Sequence, residues 1–261
     1  MSLVRRTPAA TEAARPRALP ELALVVGLFL AYKLARLLIQ GRDEVAFANA
    51  GRVRALERFL HLPDEVAVQH PVLGHPALLE AANSFYAYVH FPATAVFLLW
   101  MFLRRPASYR WARRSLAGLT AAAMVVHVLL PLAPPRMLTG TGMLDTGRLV
   151  GPAVYGDPAT DSLTNQYAAM PSLHVGWALA VAVTLIAVTG GRWRWAWLLH
   201  PAATLLVVVV TGNHYWLDGI VAAALLAAVM LVCPRPAPRV PAHAGNAVPE
   251  PAPPVPVEQP A

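Results

Sequence analysis

Residues 173–190 read LHVGWALAVAVTLIAVTG, an apolar run that contains no Asp, Glu, Lys or Arg. A window of about 19 residues finds comparable runs elsewhere, each close to the roughly 20 residues that a helix needs to cross a bilayer core. The six runs lie near 20–39, 85–103, 115–133, 173–190, 195–211 and 217–233. The sequence therefore predicts an all-α integral membrane protein whose catalytic unit, 20–233, is a bundle of six transmembrane helices.

The composition agrees with a membrane protein. Hydrophobic residues make up 57% of the chain and charged residues 13%, against about a quarter in soluble domains. The net charge is +7, and Lys33 is the only lysine, a usage that suggests a GC-rich bacterial genome. A basic excess can indicate nucleic acid, but here the arginines cluster beside apolar runs, so we expect no nucleic-acid partner. The lone Cys233 excludes an internal disulfide.

The distribution of arginine predicts the orientation in the membrane. With the N-terminus inside, thirteen arginines fall in inner segments and six in outer segments. The positive-inside rule then places both termini in the cytoplasm of a multi-pass plasma-membrane protein. Residues 1–19 form a basic cytoplasmic segment in this reading, and the proline-rich residues 234–261 form a disordered cytoplasmic tail.

Two segments on the outer side are more than connectors. Between the first two spans, apolar residues alternate irregularly with charged ones, which predicts an amphipathic helix at the membrane interface; the apolar residues are Val45, Phe47, Val53, Leu56, Phe59 and Leu60. The loop 134–171 is too long for a plain connection, so we expect it to cover a site. Its polar residues include Asp145, Asp157, Asp161, Asn165 and Tyr167.

The predicted topology brings three polar sequence points to the outer face. Arg136 follows the third span, Ser172 and His174 begin the fourth, and His214 with Asp218 occupies the turn before the sixth. Ionisable groups at membrane-helix ends are costly, so several of them at one depth indicate a functional site.

Each of these residues has an ordinary structural alternative. His214 and Asp218 stand four apart and can touch on a helix, so that the carboxylate fixes the imidazole tautomer, or they can simply solvate a loop. Ser172 has the setting of a helix N-cap, where free N–H groups also bind anions, and His174 would lie in that first turn. Arg136 is either a snorkelling anchor or a fixed phosphate ligand.

Two further histidines have apolar surroundings in the sequence. His90 lies in the second predicted span and His127 in the third. Both can face the bundle interior, and we expect structural hydrogen bonding to be their role.

Two motifs carry a resemblance to a known family. The sequence MPSLH at 170–174, followed about forty residues later by HYWLD at 214–218, resembles the type-2 phosphatidic acid phosphatase superfamily. APPR at 133–136 and GNHY at 212–215 are most similar to its inositol phosphorylceramide synthase branch and the bacterial relatives of that branch. The resemblance implies a six-helix bundle that needs no metal or other cofactor.

The resemblance also implies roles for the site residues. His214 would attack phosphorus and form a phosphohistidine, His174 would protonate the leaving oxygen, and Asp218 would orient the nucleophile. Arg136 and Ser172 would bind the phosphoryl oxygens. The expected partners are a phospholipid and a hydroxyl acceptor, which is a polyol, a lipid or water.

Departures from the family pattern bear on the reaction. The phosphatase branch has cations where this chain has Leu129 and Val208. Two of three phosphate-binding cations are therefore missing, which favours transfer from a singly charged phosphodiester over hydrolysis of a dianionic monoester. Arg148, His127 or the helix amides can compensate in part. The alternatives are a lipid phosphate hydrolase, a metal site built on the same three residues, and an inactive transporter or flippase, although no internal repeat supports the last.

Overall fold

The computed structural model describes residues 18–156 and 164–235, and within these ranges it contains ten α-helices and no β-strand. The predicted basic segment and proline-rich tail lie almost wholly outside the described residues, as do Asp157 and Asp161. The helices are α1 Ala18–Ile39, α2 Asp43–Phe59, α3 Glu65–Leu73, α4 Pro76–Tyr88, α5 His90–Arg104, α6 Pro106–Leu129, α7 Thr146–Leu149, α8 Leu173–Val188, α9 Leu199–Val210 and α10 Trp216–Val232. Short 3-10 helices cover Pro135–Met137 and Arg192–Leu198.

Several helices have the length and composition of membrane spans. Among the described residues, Ala18–Ile39 and the continuous stretch Arg192–Val210 are each long and apolar enough to cross a membrane, and α4 with α5 makes a third if the bent pair counts as one span. Helices α8 and α10 are apolar but shorter. The prediction of a helical membrane-type chain is confirmed at this level, and the count of six spans stays a prediction.

The second predicted span, 85–103, is broken in the structure. Helix α4 ends at Tyr88 and α5 starts at His90, with a bend of 45° between them. Pro92 explains the break, because it has no N–H to donate to the carbonyl of Tyr88 and its ring crowds that carbonyl. The apolar run therefore forms two helices with different directions.

One end of the bundle is fastened by polar contacts. Glu21 of α1 pairs with Arg113 of α6 and accepts a hydrogen bond of 2.8 Å from the Tyr109 hydroxyl. Trp111 Nε1 donates to the carbonyl of Cys233, just beyond α10, at 3.0 Å. The start of α1, the start of α6 and the end of α10 therefore lie at the same end, as the predicted topology requires.

The main apolar core lies between α5, α6, α8 and α10. Its buried members are Phe97, Met101, Tyr109, Ala112, Leu116, Leu119, Ala180, Val181, Leu185 and Leu226. Close helix packing depends on Gly176, because a Cβ there would lie 2.8 Å from Leu119 Cδ2. Small residues of this kind let membrane helices approach each other.

Helix α2 lies at the position of the predicted amphipathic helix. Its buried face, however, consists mainly of small and polar side chains. Phe59 and most of the other apolar residues named for it are exposed, whereas Asn49 and Glu57 are buried. Asn49 Nδ2 donates to the carbonyl of Pro131 at 2.9 Å, and Glu57 Oε1 accepts from the backbone N–H of Leu217 at 2.9 Å. Helix α2 thus docks on the segments that carry the predicted site.

Side chains from α3 and α4 hold the long loop in place. Gln69 Nε2 donates to the carbonyls of Leu144 and Val210 at 3.0 and 2.9 Å, and Asn83 Nδ2 donates to the carbonyl of Thr146 at 2.9 Å. The part of the loop that the structure describes is therefore ordered by buried amide groups. Helix α3, which supplies Gln69, was not anticipated from the sequence.

Candidate active site

Ser172 caps helix α8. Its Oγ accepts the backbone N–H of Val175 at 3.4 Å, and its own N–H donates to the carbonyl of Asp218 at 3.1 Å. The side chain is fully buried and does not line the cavity described below. The capping role is therefore seen directly, whereas phosphate binding by the Ser172 hydroxyl stays a prediction.

His214 and Asp218 are in contact. His214 Nδ1 lies 2.8 Å from the carbonyl oxygen of Ala169 and 3.1 Å from Asp218 Oδ2. Both partners are acceptors, so Nδ1 carries the proton and Nε2 keeps its lone pair. Asp218 is fully buried, and its Oδ2 also accepts the backbone N–H of Tyr215 at 2.9 Å. The geometry therefore fixes both the tautomer and the direction of the His214 ring.

The surroundings of His214 keep its imidazole neutral. This residue lies in the turn between α9 and α10, and burial lowers its pKa to about 3. The hydrogen bond to Ala169 opposes that shift, whereas the positive charge of Arg136 adds to it. A neutral imidazole with a free Nε2 is the nucleophilic form.

His174 lies in the first turn of α8, close to His214. The two ring centroids are 5.9 Å apart, short enough for both imidazoles to contact one phosphoryl group. The His174 ring stacks on Tyr86 at 4.4 Å and contacts His90 at 4.4 Å. No hydrogen bond within the described residues fixes either of its nitrogens. Ring packing alone therefore orients this imidazole.

Arg136 is held rigidly at the end of the segment that follows α6. Its backbone N–H donates to the carbonyl of Gly212 at 2.9 Å, and its Nη1 donates to Asn213 Oδ1 at 2.6 Å. The guanidinium lies 4.2 Å from the centroid of the Tyr155 ring, and Nε lies 3.5 Å from Asp145 Oδ2. Nη2 is buried and has no hydrogen-bond partner among the described residues. The side chain is thus fixed with one donor group to spare.

These groups meet at one cavity of about 240 Å³. The predicted residues His174, His214 and Arg136 all line it, whereas Asp218 stands behind His214. The other lining residues come from α1, α4–α6, α8, the long loop and the turn before α10. Most of them are apolar or aromatic, among them Tyr32, Tyr86, Phe91, Leu173 and Trp177. The cavity therefore combines a few polar groups with walls suited to an apolar molecule.

The positions that lack the expected cations lie away from this cavity. Leu129 is 73% exposed, and Val208 is fully buried. Arg148 is half exposed, contacts Asp145 and lines a small neighbouring pocket instead. His127 lines the cavity, and its Nε2 lies 3.1 Å from the carbonyl oxygen of Pro171. Of these two side chains, His127 lines the cavity and Arg148 does not.

We expect structural hydrogen bonding for His90 and His127, and among the described residues this is seen for His127. His127 makes the structural hydrogen bond to Pro171. His90 is also buried, but its Nδ1 has no hydrogen-bond partner in the described part of the chain. It packs against aromatic rings, 5.2 Å from Phe91 and 5.3 Å from Trp177. The role of His90 is therefore packing beside His174.

Three residues at the site were not singled out from the sequence. Asn213 holds Arg136, and Tyr86 and Tyr155 join the His174 ring to the guanidinium through hydroxyls that are 2.5 Å apart. Asn213 lies inside the quoted GNHY motif, so its position was a usable signal. The two tyrosines are 69 residues apart, and nothing in the spacing pairs them.

Within residues 18–156 and 164–235, no group of three or more His, Cys, Asp or Glu side chains is arranged to hold a metal ion. The Nδ1 atom of His214 is already engaged by two protein acceptors, which leaves Nε2 as its open position.

Two imidazoles and a guanidinium at one cavity, with a carboxylate behind one of the imidazoles, can supply a nucleophile, a proton donor and an anion ligand. A family model described as the PAP2 superfamily matches residues 51–232. The chain therefore belongs to the PAP2 superfamily, as its motifs predict, and is a lipid enzyme of the phosphatase or phosphotransferase type. No curated protein and no solved structure matches the chain.

Proposed function

We propose that this protein is a membrane-embedded lipid phosphotransferase of the inositol phosphorylceramide synthase-like branch. It would move a phosphoryl-linked group from a phospholipid to a hydroxyl acceptor through a phosphohistidine at His214. The observation that carries the proposal is the state of His214: its Nδ1 proton is held by Ala169 and Asp218, and Nε2 remains free beside Arg136 at the cavity.

In the first step Nε2 of His214 forms a bond to phosphorus as the bond from phosphorus to the lipid alcohol breaks. The electron pair leaves with the alcohol oxygen, which takes a proton from the His174 imidazolium. Asp218 stabilises the positive charge that develops on His214. In the second step neutral His174 takes the proton of the acceptor hydroxyl, whose oxygen then displaces Nε2 from phosphorus.

Arg136 would hold the phosphoryl oxygens. Its buried Nη2 has a donor to spare, and its other contacts fix the direction of the guanidinium. Among the described residues that line the cavity it is the sole arginine, and no lysine lines it. One fixed charge matches one phosphodiester charge, which favours a diester donor over a dianionic monoester.

The apolar walls of the cavity favour a substrate with acyl chains. Lipid access also requires the site to face a membrane leaflet, which we propose is the extracytoplasmic one of the bacterial plasma membrane.

The decisive experiment is a product analysis with purified protein in detergent. Phosphatidic acid and the glycerol, inositol, ethanolamine and choline phospholipids, each labelled at phosphorus, are incubated with and without inositol or glycerol. A labelled phosphodiester that forms only with the added acceptor supports transfer. Free phosphate or free head-group phosphate as sole product would show a hydrolase that uses water instead.

A second measurement tests the nucleophile. Acid-labile label should stay bound to wild-type protein after rapid quenching and be absent from His214→Ala, while the exposed His75→Ala variant keeps both label and turnover. Turnover by His214→Ala would remove His214 as nucleophile. Turnover that a strong chelator abolishes would favour the metal alternative.

The proposed orientation has its own test, because Cys233 is the lone cysteine. With both termini inside, a membrane-impermeant maleimide added to intact cells should not label Cys233. It should label His75→Cys in a Cys233→Ser background, since His75 precedes α4 on the proposed outer side. The reverse pattern would invert the topology.

A further inference from the structure

We propose that His90 is a positioning residue for the proposed reaction. Its ring holds the His174 imidazole in line for proton transfer, as one side of a clamp whose other side is Tyr86. The inference rests on the proposed function, since it gives His90 a task only if His174 donates a proton to the leaving group.

The clamp takes the place of a hydrogen bond that His174 lacks in the described part of the chain. A general acid has to be aimed at the oxygen that it protonates, and catalytic histidines are usually aimed by a hydrogen bond to the second nitrogen. His214 has such bonds to Ala169 and Asp218. His174 has none in the described part of the chain, so another device has to restrict its ring.

Two rings supply that restriction. Tyr86 stacks on His174 with an interplanar angle of 24°, and His90 meets it at 43°, each at a centroid distance of 4.4 Å. The described residues give no ring contact between Tyr86 and His90 themselves. The two rings therefore approach His174 from different sides, and rotation of the imidazole about its χ angles would collide with one or the other.

The break in the second span explains how one chain segment reaches both sides. Tyr86 lies in the last turn of α4, and His90 is the first residue of α5. The bend of 45° between the helices separates two side chains that would be stacked along one face of a straight helix. The break at Pro92 therefore leaves space for the His174 ring between Tyr86 and His90.

Both sides of the clamp are anchored. His90 packs 5.3 Å from Trp177, whose Nε1 donates to Thr120 Oγ1 at 2.9 Å. Tyr86 is joined through its hydroxyl to Tyr155, whose ring lies under the guanidinium of Arg136. The position of the acid is therefore coupled to the position of the phosphate-binding group.

The buried His90 ring acts here as a flat, uncharged wall. Its Nδ1 has no hydrogen-bond partner in the described ranges, and it sits in contact with a ring that must carry a positive charge. A charged His90 would repel the His174 imidazolium. A phenylalanine at position 90 should therefore still restrict the His174 ring, whereas an alanine should not restrict it.

The test uses two esters of one head group. The head group is the one that wild-type protein turns over fastest among phosphatidic acid and the glycerol, inositol, ethanolamine and choline phospholipids. The first ester is the dioctanoyl lipid, whose leaving diacylglycerol needs a proton, and the second is the 4-nitrophenyl ester, whose leaving nitrophenolate does not. For both esters the rate of alcohol release in the first turnover is measured, because the second step also uses His174 and is common to the two; the variants are His90→Ala, His90→Phe, His174→Asn and the exposed control His75→Ala.

His90→Ala should lower the maximal first-turnover rate on the dioctanoyl lipid by about 10- to 100-fold with the half-saturating concentration within about threefold, and that rate on the nitrophenyl ester by less than about threefold. His90→Phe should stay within about fivefold of wild type on both esters. Equal losses on the two esters in His90→Ala would mean a merely structural role and would overturn the inference. A loss in His90→Phe as large as in His90→Ala would overturn it as well, because a ring nitrogen would then be needed.

His174→Asn separates this inference from the proposal on which it rests. It should lose at least about 100-fold on the dioctanoyl lipid and little on the nitrophenyl ester. If His174→Asn shows that difference and His90→Ala does not, only the inference fails. If His174→Asn loses both activities equally, His174 is not the acid, and the proposed mechanism fails together with the inference.

Discussion

One oxygen atom of Asp218 performs two tasks, since Oδ2 lies 3.1 Å from His214 Nδ1 and also accepts the backbone N–H of Tyr215 at 2.9 Å. The first contact sets the tautomer of the imidazole, and the second satisfies a free N–H group at the start of α10. Local folding and site geometry therefore depend on the same carboxylate, and substitutions can separate its hydrogen bonds from its charge.

Asp218→Asn should remove activity without removing the cap. The amide oxygen can take the place of Oδ2 and accept from both Tyr215 and His214 Nδ1, so the cap and the tautomer are kept, but the negative charge beside His214 is lost. We expect kcat to fall by about 10²- to 10³-fold at nearly unchanged Tm, because the positive charge that develops on His214 is no longer stabilised. Asp218→Ala should be as inactive and also lose about 1 kcal/mol of stability with the cap. Near-normal kcat in Asp218→Asn would show that the reaction does not need the charge of Asp218.

Arg136→Lys should reduce kcat/KM by about 10²- to 10³-fold, because lysine has no planar group that can stack on Tyr155 and donate to Asn213 while a further donor stays unpaired for the substrate. Arg148→Lys is the matched control: both arginines contact Asp145 Oδ2, at 3.5 and 3.6 Å, but Arg148 does not line the cavity. Equal losses in the two variants, measured at saturating and limiting phospholipid, would assign the effect to Asp145 rather than to phosphate binding.

The parts of the site that the sequence predicts are those set by local spacing and by helix ends. The i, i+4 spacing of His214 and Asp218 predicts their contact, and the Pro171-Ser172 start of α8 predicts its cap. Apolar run lengths likewise predict a helical membrane-type chain. In each case the physical cause acts within one turn of helix or within one segment.

The unpredicted parts depend on contacts between distant segments. Asn213 meets Arg136 across 77 residues, and Gln69 reaches Val210 across 141. Pro92 could have indicated a break in the second span, but the direction of the bend follows from how α4 and α5 pack on α8 and α9. The same packing decides that His90 contacts aromatic rings rather than a hydrogen-bond acceptor.

Gly212→Ala should damage both stability and activity. Gly212 has φ +70°, and a Cβ there would lie 3.0 Å from Arg136 Cβ and 3.2 Å from the carbonyl oxygen of Leu144. The left-handed conformation alone costs about 1–2 kcal/mol for alanine, and the contacts would displace Arg136. Gly41→Ala is the control, since Gly41 has φ +78° and open space around it. Both variants should lose similar stability from φ, but only Gly212→Ala should raise KM; an equal effect on KM would remove the steric argument.

Glu57→Gln should make the protein less sensitive to alkaline pH. Burial raises the pKa of Glu57 from 4.5 to about 9, and the neighbouring Glu65 carboxyl adds to the rise. Between these values the folded state holds a proton that the unfolded state has released, so stability falls as pH rises from about 4.5 to about 9.

The amide of the substituted side chain would keep the acceptor for the Leu217 N–H and remove this loss of stability. The Tm of Glu57→Gln in detergent should exceed that of wild type clearly at pH 9 and by little at pH 5. The exposed Glu44→Gln should follow the wild-type curve, and parallel curves for Glu57→Gln and wild type would show that Glu57 is ionised in the folded protein.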